Sequence, residues 1–100
     1  MSSTLIDVRS AVEAARTYLG QVMDQLIDPG SSMQGLRLEE TELSEDGQYW
    51  FITLGFDRPI GEHLDPIQSI VISKKYERDY RIFKIDAQTG KVQSMKIREL

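Results

Sequence analysis

The chain has 100 residues, of which 40% are hydrophobic and 28% are charged, and these values are typical of one globular domain rather than two. It contains no cysteine, which excludes a disulfide scaffold, a thiolate nucleophile and cysteine-based zinc sites. The net charge of −4 argues against a general nucleic-acid binder, although Lys and Arg outnumber Asp and Glu in residues 51–100 and are outnumbered in residues 1–50.

The first twenty residues lack the basic segment and the unbroken apolar segment of a signal peptide. No apolar run elsewhere reaches the ~18 residues that a membrane span requires. We therefore expect a cytoplasmic protein that makes no contact with a membrane.

Residues 5–27 show the strongest periodicity in the chain, with apolar residues at alternating steps of three and four. The pattern predicts one helix from Leu5 to Ile27, which Thr4 caps and Asp28-Pro29-Gly30 ends. The same spacing also fits a coiled coil. Strand patterns in the rest of the chain need a covering layer, which favours a helix that packs on the chain's own sheet. The stripe contains Leu5, Val8, Val12, Ala15, Leu19, Val22 and Leu26.

Residues 36–56 predict a first hairpin. Leu36–Leu43 alternates apolar and charged residues as an edge strand does, and Asp46-Gly47 is typical of a tight turn. Tyr49–Phe56 follows as a central strand, because both of its faces carry apolar residues. One face holds Trp50, Ile52, Leu54 and Phe56, and the other begins with Tyr49 and Phe51.

The prolines and glycine of Asp57–Pro66 predict a loop, and residues 67–73 fit either a short strand or a turn of helix. Residues 80–85 predict another central strand, Thr89-Gly90 predicts a second hairpin turn, and residues 91–99 return the chain as a last strand. The whole of residues 1–100 is thus expected to form a single α+β domain. One long helix would pack on an antiparallel sheet of about four strands.

The closing hairpin carries Asp86, Thr89, Gly90, Lys91 and Val92 in the order D-x-x-T-G-K-V. This motif resembles the last hairpin of PepSY-like domains, and a helix followed by a sheet is similar to their cystatin-like layout. The resemblance implies inhibition or chaperoning of peptidases, or other protein contact, usually outside the cytoplasm. The same residues also make a favourable turn in any β-meander, because Asp and Thr bond the local backbone and Gly accepts a positive φ.

The sequence shows no catalytic constellation. His63 is the only histidine, and its neighbours Glu62 and Asp65 establish neither a general base with an orienting group nor a set of three metal ligands. We therefore expect no enzymatic activity, no cofactor and no metal site. The acidic run at residues 39–46 lacks the order of a calcium loop and is typical of a solvated edge that discourages strand pairing.

Basic and aromatic residues mix only in residues 74–81, as they do in proteins that bind single-stranded nucleic acid. Glu77 and Asp79 lie within this patch and offset half of its charge, which argues against nucleic-acid binding. The basic members are Lys74, Lys75, Arg78 and Arg81, and the aromatic members are Tyr76 and Tyr80.

These features favour a non-enzymatic protein-interaction module, such as an inhibitor, an immunity-type protein or an adaptor. The alternative is a cystatin-like cone that binds a small ligand or has weak catalytic activity between helix and sheet. Since one helix covers only one face of a sheet, we expect the partner surface on the opposite face, extended by the loop at residues 57–66, and a homodimer is the simplest occupant. The predicted partner-binding residues are Tyr49, Phe51, Arg58, His63, Tyr76, Arg78 and Tyr80.

Overall fold

The computed structural model describes residues 4–26, 34–59 and 76–99. One helix packs on a four-stranded antiparallel sheet whose strands lie side by side in sequence order. This arrangement confirms the predicted α+β class. The elements are α1 (Val8–Leu26), β1 (Gln34–Leu43), β2 (Tyr49–Pro59), β3 (Tyr76–Asp86) and β4 (Val92–Ile97).

The helix begins one turn later than the sequence predicted. The backbone N–H of Ser10 donates to Asp7 Oδ1 at 2.8 Å, so Asp7 rather than Thr4 caps the first turn. The hydrogen bond also lowers the pKa of Asp7. The preceding residues are held on the sheet instead, because Ile6 N–H donates to the carbonyl of Ala87 at 2.7 Å. The predicted end at Ile27 and the predicted stop at residues 28–30 lie outside the described residues.

The core lies between α1 and the side of β2 and β3 that faces it. Tyr18 packs edge-on against Phe83, with ring centroids 6.1 Å apart. Alanines on the buried stripe of the helix allow its backbone to approach the sheet closely. Between Val12 and Val22 the apolar stripe is therefore used within the chain, as the sheet-covering interpretation predicted, whereas Leu5 and Val8 are 43% and 40% exposed. The fully buried members of the core cluster are Ala11, Ala15, Leu19, Ile52, Leu54, Phe56, Phe83 and Ile85.

The second strand extends further than predicted. Residues 57–59, which the sequence assigned to a loop, pair with residues 76–78 of β3. The loop prediction was wrong for these residues because opposite charges stabilise this end of the hairpin. Arg58 Nε lies 2.7 Å from Asp79 Oδ2, and Arg58 Nη2 lies 3.1 Å from Glu77 Oε2. The remaining loop at residues 60–66 and the segment at residues 67–73 lie outside the described residues.

Both predicted hairpin turns are confirmed. Gly47 has a φ of +72° and Gly90 a φ of +77°, a region that favours glycine. An aspartate braces each turn, since Asp46 Oδ1 and Asp86 Oδ1 each accept a hydrogen bond from the backbone N–H two residues later, at 3.0 Å and 2.8 Å. The hydrogen bond from the Ser44 hydroxyl, and after it the one from Gln48 N–H, lowers the pKa of Asp46. The hydrogen bonds from the backbone N–H groups of Thr89 and Gln88 lower the pKa of Asp86.

Both edge strands are irregular. The register of β1 against β2 shifts between Gln34 and Arg37 and again between Leu38 and Glu40. On the other edge, β4 shifts against β3 next to Lys84. Bulges and charge on an edge strand discourage pairing with a further strand. The edges of the sheet are therefore poorly suited to pairing with a further strand.

Candidate partner-binding surface

Alternate residues of the strands point away from the helix and form a surface that we call the open face. In the part of the chain that the structure describes, no helix or strand packs over it. Thr53, at its centre, is nevertheless only 2% exposed, because longer side chains on the neighbouring strands surround it. The open face comprises Arg37, Glu39, Glu40, Glu42, Tyr49, Phe51, Thr53, Gly55, Asp57, Arg78, Tyr80, Ile82, Lys84, Ser94, Lys96 and Arg98.

The aromatic part of the open face lies on its two central strands, β2 and β3. Tyr49 and Phe51 are both half-buried, as are Tyr80 and Ile82 on β3. Lys84 Nζ lies 4.2 Å from the centroid of the Tyr49 ring, a cation–π contact. Aromatic rings that are rigidly held among charged groups are typical anchors of protein interfaces.

The two margins of the open face carry opposite charges. The β1 margin is acidic on balance, since it carries three glutamates and Arg37, whereas the β4 margin is basic. One ion pair bridges them across the face, since Arg98 Nη1 lies 3.2 Å from Glu40 Oε2. Glu42 and Lys96 make no ion pair within the described residues. The face therefore presents one free acidic side chain on one margin and one free ammonium group on the other, as far as the described residues extend.

Arg78 joins three strands at the far end of the open face. Its Nη1 donates to the carbonyl of Gly35 at 2.6 Å and to Asp57 Oδ1 at 3.2 Å, and its Nη2 donates to Glu39 Oε1 at 2.9 Å. Burial alone would lower the pKa of Arg78, but the hydrogen bonds to Glu39 and Asp57 outweigh it and raise that pKa. We call Arg78 and these three acceptors the Arg78 cluster.

Gly55 makes room for the Arg78 cluster. A Cβ atom at this position would lie 2.9 Å from Glu39 Oε1 and 3.0 Å from Arg78 Nη2. The guanidinium and the carboxylate thus meet directly above the backbone of β2. The sequence showed a glycine on the outer face of this strand, but it gave no sign that an ion pair from β3 to β1 passes over it.

The predicted partner-binding residues divide between the two faces. Tyr49, Phe51, Arg78 and Tyr80 lie together on the open face. Arg58 lies on the side that faces the helix, because it follows Phe56 by two residues in the strand and pairs with acidic residues there. Tyr76 is paired with Pro59 through its backbone. His63 lies outside the described residues.

The predicted basic and aromatic patch is also divided. Arg78 points to the open face, whereas Arg81 lies on the helix side, where it is 8% exposed and its Cζ is 5.6 Å from the centroid of the Phe56 ring. Arg78 and Arg81 therefore do not form one surface, because residues an odd number of positions apart in a strand lie on opposite faces. Lys74 and Lys75 lie outside the described residues.

The sequence did not reveal the exposed apolar residues beside the helix. On β1, Leu38 is 44% exposed and Leu43 is 39% exposed, and Val8 in the first turn of α1 is 40% exposed. The helix packs mainly on β2, β3 and β4, which leaves the helix-facing side of β1 uncovered by the described residues. A helix about 10 Å across spans only two or three strands at ~4.8 Å spacing, so this gap could have been anticipated from geometry.

A shallow groove lies between α1 and the β3–β4 turn. Its volume is about 580 Å³, and its lining includes Ser10, Tyr18, Thr89 and Val92. The space directly between the helix and the sheet is filled by the apolar core, with Arg81 at one end. A cystatin-like cone that binds a small ligand would need a pocket between helix and sheet. In the described residues, apolar side chains occupy that space.

Among the described residues, no group of three or more His, Asp or Glu side chains is placed to hold a metal ion. No helix in this part of the chain is long and apolar enough to cross a membrane. No protein-family model, no curated protein and no solved structure matches the chain.

Proposed function

We propose that the chain is a non-enzymatic protein-interaction domain that binds a partner protein through the open face. One observation carries the proposal: a sheet face with half-buried aromatic rings at its centre and opposite charges at its margins is left without a covering layer in the described structure. An inhibitor, an immunity-type protein or an adaptor acts by such a contact, and the resemblance of the closing hairpin to PepSY-like domains points in the same direction.

The electrostatic pattern of the open face suits recognition of a specific partner. Charged margins around an aromatic centre select partners of complementary charge and increase the rate of association. The aromatic centre supplies the apolar contact, since Tyr residues are enriched among the residues that dominate binding energy. The bulged edges and the shallow groove offer neither strand pairing nor an enclosed pocket, so the open face is the better surface for a protein.

Phe51→Asp tests the proposal by placing a carboxylate in the middle of the open face. Leu43→Asp is the matched control, because it makes the same kind of change on the helix side of the sheet. Both variants and the wild type are immobilised and exposed to an extract of the native host. We expect proteins that the wild type and Leu43→Asp retain and that Phe51→Asp loses.

Circular dichroism must show that Phe51→Asp is folded. Phe51 is half-buried, and if this variant unfolds, Glu42→Lys replaces it, because Glu42 is exposed on the same face. The opposite result would contradict the proposal. If an open-face variant retains the same proteins as the wild type and Leu43→Asp loses them, the partner surface lies beside the helix.

A further inference from the structure

We infer, building on the proposed function, that the partner on the open face is a second copy of this chain, bound about a two-fold axis that runs parallel to the strands. The distribution of charge across the sheet determines both the partner and the axis.

The charges change sign from one edge of the sheet to the other. In the cross-strand row that contains Phe51, Glu42 of β1 lies on one side and Lys84 of β3 on the other. The next row begins with Glu40 on β1 and ends with Lys96 on β4. These two rows are thus acidic on their β1 side and basic on their β3–β4 side.

Two identical faces can pack against each other only about a two-fold axis that lies in the plane between them. An axis perpendicular to the strands places β1 of one copy over β1 of the other and sets like charges against each other. An axis parallel to the strands places β1 over β4 of the second copy, so that acidic and basic margins meet twice. The charges therefore favour the parallel axis, since like charges that face each other across an interface are strongly unfavourable.

On the two margins of the open face, the glutamate and the lysine that make no ion pair within the described residues are placed where such a dimer would use them. Glu40 is already paired with Arg98, and Glu39 with Arg78. Glu42 and Lys96, which have no ion pair in the described part of the chain, lie on opposite margins in adjacent rows. Aligned sheets pack about 10 Å apart, a distance that a glutamate and a lysine can bridge together.

Apolar side chains lie on both sides of the axis in the same arrangement. The axis passes between β2 and β3, so Phe51 of each copy lies over Lys84 of the other copy and beside its Ile82. The Glu40–Arg98 ion pair also crosses this face. A face four strands wide and about eight residues long measures roughly 19 by 27 Å, or about 500 Å² in projection. This is below the ~800 Å² per partner of a standard interface, so we expect a weak dimer with a dissociation constant in the micromolar range.

The test is a charge exchange between two exposed residues. Glu42→Lys and Lys96→Glu each place like charges at both ends of the interface when the variant meets itself. When the two variants are mixed, however, the lysine introduced in one variant faces the glutamate introduced in the other, and the unchanged Lys96 and Glu42 face each other at the opposite end. Glu13→Lys on the exposed surface of α1 is the matched control for the change in net charge. Sedimentation equilibrium on each sample measures association.

We expect self-association of the wild type and of Glu13→Lys, dissociation constants at least tenfold higher for Glu42→Lys and Lys96→Glu alone, and heterodimers in their mixture. A wild type that stays monomeric up to about 500 µM would overturn the inference without affecting the proposed function, which the capture experiment tests separately. Single variants that associate like the wild type, or a mixture that forms no heterodimer, would also overturn it.

Discussion

Arg78→Met should destabilise the domain by about 2 kcal/mol, which corresponds to roughly 10 °C in the unfolding midpoint of a domain this size. Methionine keeps most of the alkyl chain, so the change removes mainly the three hydrogen bonds of the Arg78 cluster. Hydrogen bonds from a charged donor contribute ~1.5–3 kcal/mol each when both partners are buried.

Two features of the cluster reduce that sum. The side chains of Glu39 and Asp57 are 29% and 38% exposed. Water can therefore replace much of the hydrogen bonding that these carboxylates lose with Arg78. Arg78 Nε is buried and makes no hydrogen bond within the described residues, and its removal relieves a cost of about 1 kcal/mol. With the exposed acceptors and the unbonded Nε taken together, the loss of stability is about 2 kcal/mol.

Urea unfolding monitored by circular dichroism measures the effect, with an unchanged slope as the sign that the folded state is intact. Arg58→Met is the matched control, because Arg58 also bonds two carboxylates but its side chain is 39% exposed. This variant should reduce the free energy of unfolding by less than about 1 kcal/mol. Arg78→Lys keeps the charge without the planar fork and should fall between the two. An Arg78→Met variant no less stable than Arg58→Met would refute the role that we assign to the cluster.

Two further predictions concern the turns and the caps. Gly90→Ala should lower the free energy of unfolding by about 1 kcal/mol, because the φ of Gly90 is +77°. Gly20→Ala should raise it by about 0.5–1 kcal/mol, because Gly20 lies in the helix with open space around its Cβ position. Equal thermal midpoints for the two variants would contradict the assigned turn. The pKa values of three aspartates are lowered in the folded state, so their contribution to stability is present above the ordinary aspartate pKa and is lost as the pH falls through the lowered values. The urea midpoint should therefore decrease as the pH falls below about 4, and a midpoint that stays constant on acidification would count against these hydrogen bonds. The three carboxyls are those of Asp7, Asp46 and Asp86.

Local patterns were sufficient for most of the fold. The period of the apolar residues predicted the helix, and alternation predicted which side chains of β2 face it. Asp-Gly and Thr-Gly predicted turns because a positive φ is a requirement of the turn itself. The start of the helix was not decided locally, since both Thr4 and Asp7 are good capping residues. The bonds of Ile6 to Ala87 and of Trp50 to Ile6 determine it, and both join residues that are far apart in sequence.

The candidate site depended more strongly on long-range pairing. Alternation placed Tyr49 and Phe51 on the same face, but the Arg78 cluster joins β1 to β3 across β2, and no sequence period reports such a contact. The orientation of Arg58 could be assigned only when the structure showed that β2 continues past Phe56. The uncovered side of β1 likewise depends on where the helix crosses the sheet.

The central claim is that the open face binds a second copy of this chain, and methyl NMR during dilution tests it most directly. Spectra are recorded from about 500 µM to about 20 µM, a range that should span the dissociation of a weak dimer. Thr53 and Ile82 report on the open face, and Leu38 and Leu43 report on the helix side of β1. The account predicts that the methyl signals of Thr53 and Ile82 shift with concentration while those of the two leucines stay constant. Shifts confined to Leu38 and Leu43 would contradict it.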